Sequence, residues 1–63
     1  PQNYASRSKK DELGKEIERL GGKPDGWNRC SKVQARLGFK GRALDLSDGD
    51  MQLLIDELKK EKP

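Results

Sequence analysis

A chain of 63 residues with 14 Lys+Arg, 11 Asp+Glu and no His is one small basic domain at most, with a net charge of +3 and a pI near 9.2. Only 30% of it is hydrophobic and 40% is charged. No stretch therefore approaches the roughly 18 apolar residues of a membrane span, and one Cys without His supplies neither an internal disulfide nor a four-ligand zinc site. No charged-then-apolar leader opens the sequence, so a secretory signal is absent or was removed; the expectation is an intracellular protein, cytoplasmic or nuclear, and no cofactor is expected. A domain this short buries only about 60% of its unfolded surface, so nearly every apolar side chain must contribute to the core.

Residues 1–7, PQNYASR, show no periodicity and predict a flexible arm. The spacing then predicts a first helix over 8–20, with Ser8 and Asp11 as its capping box and Asp11 and Glu12 at its positive dipole end. Leu13, Ile17 and Leu20 form its apolar stripe at i, i+4 and i+7. Gly14 weakens it by about 1 kcal/mol relative to Ala, and Gly21-Gly22 ends it. KPDG, residues 23–26, is a turn by composition.

A second helix is predicted over 27–37, its start near Asp25 or Asn28. Cys30, Val33 and Leu37 form its apolar stripe; Arg29, Lys32 and Arg36 form a basic stripe beside it; Gly38 caps it. Residues 39–46 are read as an irregular connection, with Leu44 and Leu46 alternating in a short extended piece. A third helix is predicted over 48–60. Ser47 and Asp50 form its capping box, Leu46 and Met51 a hydrophobic staple, and Met51, Leu54, Ile55 and Leu58 its apolar stripe. Three amphipathic helices with short connections predict a small all-α three-helix domain over 8–63.

The charge is unevenly distributed. Residues 1–42 hold 11 Lys+Arg against 5 Asp+Glu, and residues 43–63 hold 3 against 6. A basic two-thirds joined to an acidic last helix points to a polyanion partner, because phosphates draw Lys and Arg through counterion release. Arg29, Lys32 and Arg36, continued by Lys40 and Arg42, are the first candidates to bind nucleic acid. Lys9, Lys10 and Lys23 extend the surface if the first helix packs alongside.

Residues 8–37 carry Glu12-Leu13, Ile17, Leu20-Gly21, a loop closed by Gly26, and Arg36-Leu37. This half of the chain resembles the SAP motif and its helix–extended-loop–helix relatives. The resemblance implies DNA binding, with RNA second, through the loop and the second helix. The chain differs from the family in placing Trp27-Asn28 ahead of Arg29 and in continuing through residues 39–63. A helix-turn-helix made of residues 31–37 and 48–60 would present an acidic recognition helix, the wrong sign for phosphates.

Trp27 follows a turn glycine beside basic residues, where its ring either stacks on an unpaired base or caps a thin core; core placement is favoured, and Phe39 is assigned there too. Tyr4 is freer to stack but isolated. Cys30 lies on an apolar stripe with no His to activate it and reads as a buried structural thiol. Asp45 to Asp50 misses the calcium-loop register by one residue, Gly21-Gly22-Lys23 lacks phosphate-loop spacing, and no Ser/His/Asp set exists, so neither metal binding nor catalysis is expected. The rival to nucleic-acid binding is a protein-interaction or dimerisation module whose last helix offers Met51, Leu53, Leu54 and Leu58 to a partner.

Overall fold

Three apolar stripes, each about one helical face wide, require three helices to bury one another. The computed structural model, which describes residues 5–63, shows that arrangement. Helix α1 spans Arg7–Arg19, α2 spans Asp25–Leu37 and α3 spans Asp48–Lys59, with one turn of 3-10 helix over Ala43–Asp45. Each helix packs against the other two. Leu13, Ile17 and Leu20 from the first stripe, Cys30 and Val33 from the second, and Met51, Leu54, Ile55 and Leu58 from the third are all buried in one cluster. Trp27, Leu37 and Phe39 are half-buried against its edge.

The start of α1 differs from the sequence expectation. Ser6, not Ser8, is the N-cap, its hydroxyl accepting from the Lys9 N–H at 3.3 Å. The cause is tertiary. The Ala5 N–H donates to the Leu46 carbonyl at 3.2 Å, and the Ser6 N–H donates to a carboxylate oxygen of Asp48 at 3.1 Å. Ala5 is buried and α1 begins at Arg7, so residues 5–7 are not part of an arm. Residues 1–4, including Tyr4, lie outside the described residues. Asp11 and Glu12 consequently sit beyond the first turn, which holds no acid.

At the other end of α1 the Gly22 N–H donates to the Ile17 carbonyl at 2.9 Å and the Gly21 N–H to the Glu18 carbonyl at 3.1 Å. This double bond pattern needs a left-handed residue in the middle, and Gly21 supplies it with φ 121°. The chain then turns straight into α2, whose Gly26 crosses the end of α1. A Cβ at residue 26 would lie 2.1 Å from the Ile17 carbonyl oxygen. The crossing therefore depends on that residue having no side chain.

Gly38, at φ 78°, closes α2 as expected. Within the connection, Ala43–Asp45 is a 3-10 turn and not an extended piece. Ala43 and Leu46 are buried at a spacing of three and Leu44 is exposed, because the 3-10 turn replaces the two-residue alternation with a three-residue one. The Ser47 hydroxyl accepts from the Asp50 N–H at 3.2 Å and caps α3, and both staple residues, Leu46 and Met51, are buried.

The burial pattern of α3 leaves one of the four residues expected in a partner seam at the surface. Met51, Leu54 and Leu58 are 0% exposed in the chain's own core, and of the four residues only Leu53 faces solvent. Three of the four side chains offered to a partner are consumed by α1 and α2.

Candidate nucleic-acid interface

Residues 26–42 contain five Lys or Arg and no Asp or Glu. They fold into α2 and the loop after it. At about 100° per residue, the buried positions Gly26, Cys30 and Val33 point inward. Arg29, Lys32 and Arg36 occupy one flank of that face. Trp27, Ser31 and Gln34, spaced i, i+4 and i+7, occupy the other.

The first flank leans toward α3 and is partly neutralised there. An Arg36 Nη atom lies 3.4 Å from a carboxylate oxygen of Glu57 and 3.8 Å from one of Glu61. Arg29 donates to the backbone carbonyl of Lys62. Glu57 also accepts from Lys60 at 2.8 Å. The Lys60 hydrogen bond and charge, joined by those of Arg36, hold the Glu57 carboxyl below its usual range. Lys32, by contrast, is exposed, and among the described residues it has no ion pair.

The remaining candidates are dispersed. Lys40 and Arg42 are exposed and have no ion pair among the described residues. Arg42 does not continue the Arg29–Lys32–Arg36 stripe, because it lies across α2 with Trp27 and Ser31. Lys9 is drawn off to α3, donating to the Gln52 side-chain oxygen at 2.5 Å and lying 3.8 Å from Asp48. Lys10 is exposed on α1, and Lys23 is exposed in the turn before α2.

Trp27 separates two surface depressions. One, of about 660 Å³, is lined by Lys10, Asp11, Gly14, Lys15, Ile17 and Glu18 together with Trp27. The other, of about 430 Å³, is lined by Trp27, Ser31, Gln34, Gly41, Arg42, Ala43 and Leu44. The second contains a cation and no carboxylate. Gln34 organises its far wall, since its side-chain amide donates to the Gly41 carbonyl at 3.2 Å and tethers the loop that carries Arg42. The ring that was assigned to the core thus packs against the core and also lines open surface. The sequence assigns Ser31 and Gln34 no role, and it places Leu44 only in an extended connection. The i, i+4, i+7 spacing of Trp27, Ser31 and Gln34 was legible there, but it is a mixed aromatic-polar stripe without charge and carries no motif.

Cys30 is fully buried, and desolvation pushes its thiol up to about 11. No protein-family model, curated protein or solved structure gives a significant match to this chain.

Proposed function

We propose that this domain binds nucleic acid, DNA ahead of RNA, through phosphate contacts from α2 and the loop that follows it. The observation that carries the reading is the acid-free segment 26–42, whose Lys32, Lys40 and Arg42 stand exposed without ion partners among the described residues. Cations already paired with carboxylates have less to gain from a phosphate, so Arg36 is a secondary contributor. The resemblance of residues 8–37 to the SAP motif supports DNA as the first partner to test.

Binding of this kind is driven by release of condensed counterions, with a slope in log salt of roughly −0.9 for each phosphate neutralised on duplex DNA. Three contacts give a slope of about −2.7. The expected result of an oligonucleotide titration from 20 to about 200 mM salt is a linear loss of affinity with that slope. Replacing Lys32, Lys40 or Arg42 by Ala should each lower the slope by about 1, while Lys59→Ala on α3 should leave it unchanged. No binding of any oligonucleotide at the lowest salt overturns the reading.

A further inference from the structure

The acid-free depression beside Trp27 suggests which form of nucleic acid the domain takes. This inference rests on the proposed function and refines it. The depression differs from its neighbour in charge. The neighbour holds Asp11 and Glu18, neither of them ion-paired among the described residues, together with Lys10 and Lys15. That mixture offers an anion no net attraction. The depression lined by Ser31, Gln34, Gly41, Arg42, Ala43 and Leu44 offers one guanidinium, a hydroxyl and a half-buried aromatic ring. Its volume of about 430 Å³ lies within the range of small-ligand pockets.

Two parts of this site are held in place. Trp27 belongs to α2 and packs against the core, and the Gln34–Gly41 hydrogen bond secures the opposite wall. Arg42 is exposed and without an ion partner among the described residues, so its guanidinium is available to a phosphate oxygen. An aromatic ring next to an unpaired Arg suits an anion that also carries a flat π-face. A base inside a duplex has both faces covered by its neighbours, whereas an unpaired base has a face to offer.

We propose that the depression between Trp27 and Arg42 receives one unpaired nucleobase, stacked on Trp27 with its phosphate against Arg42, so that the domain prefers single-stranded nucleic acid over duplex. Ser31 lies within the same wall and can hydrogen-bond the edge of the base. Because stacking is indifferent to base identity, the preference is for strand form and not for sequence.

Trp27 is the sole Trp of the chain and lines both this depression and its neighbour, so its fluorescence reports binding on either side of the ring and Arg42→Gln assigns it to this one. The test titrates the intact protein at low salt with three oligonucleotides of equal length: a dT strand, an abasic strand with the same phosphates, and a duplex. The expected result is quenching of Trp27 by the dT strand and an affinity about ten-fold above that of the abasic strand. Arg42→Gln should weaken both single strands. Trp27→Phe, read by anisotropy of a labelled strand, should narrow the gap between dT and abasic while retaining the fold by circular dichroism. Trp27→Leu should abolish the gap. Equal affinities for all three oligonucleotides with unquenched Trp27 overturn the stacking site but leave phosphate binding standing. Tighter binding of the duplex than of dT also overturns it. Failure of every oligonucleotide to bind overturns both this proposal and the function on which it rests.

Discussion

Gly26 shows how one hydrogen atom can decide a helix crossing. Its Cα approaches the end of α1 so closely that a methyl group would meet the Ile17 carbonyl oxygen at 2.1 Å and the Ile17 Cγ2 at 3.0 Å. The obstructing atom is backbone, so relief requires moving a helix. Overpacking usually costs about 1–3 kcal/mol, occasionally more, and a domain of this size has only about 3–5 kcal/mol to lose. Gly26→Ala should therefore lower the urea midpoint drastically or leave the chain unfolded at room temperature. A shift worth under about 1 kcal/mol would contradict the crossing.

Cys30 gives a pH signature at the same scale. Its thiol titrates near 11 in the folded chain against an ordinary 9.0. Above pH 9 the unfolded chain releases this proton while the folded chain retains it. The unfolded state then binds fewer protons, and stability falls as pH rises. The contribution is complete below about pH 9 and is lost on passing from there to about pH 11. Unfolding of the native chain followed across that interval should show the decline, and Cys30→Ala should remove the part due to the thiol. Native protein at pH 8 should also resist a thiol reagent that modifies it rapidly in urea.

The helices carry predictions of their own. In α1 a Cβ at Gly14 would touch nothing within 4 Å, so the usual penalty of glycine in a helix is recovered without a clash. Gly14→Ala should raise stability by about 0.5–1 kcal/mol, seen as a rise in Tm of a few degrees. The cap of α1 distinguishes two serines. Ser6→Ala should cost about 1 kcal/mol and Ser8→Ala almost nothing, whereas a cap at Ser8 would reverse the order. Ser47→Ala in α3 should match Ser6→Ala, since each hydroxyl accepts from the backbone N–H three residues on.

At the scale of the whole molecule, three helices of 13, 13 and 12 residues are each too short to persist alone. They are stable because each buries its stripe against the other two. The radius of gyration, 10.7 Å, matches the ~10.6 Å of a compact domain of this length, so compactness requires no second copy. The one exposed leucine of α3, Leu53, is 54% exposed, and a single surface leucine is ordinary. Leu53→Glu should leave stability within about 0.5 kcal/mol and the sedimentation coefficient unchanged. Concentration-dependent dimerisation abolished by that change would restore an interaction role to α3.

The number of helices, their approximate ends and most of the core were determined by the sequence itself, because a stripe at 3.6-residue spacing has only one way to be buried and Gly at residues 21 and 38 permits the left-handed turn that ends a helix. What the sequence could not settle depended on atoms distant along the chain. The bonds from Ala5 and Ser6 to Leu46 and Asp48 moved the start of α1. Tertiary packing also divided the cations. It set Arg36 against Glu57 and Glu61 on α3 and placed Arg42 beside Trp27 on the opposite flank of α2. Charge per segment can be counted along a chain, but whether a charge is already neutralised depends on distances of a few ångströms that exist only after folding.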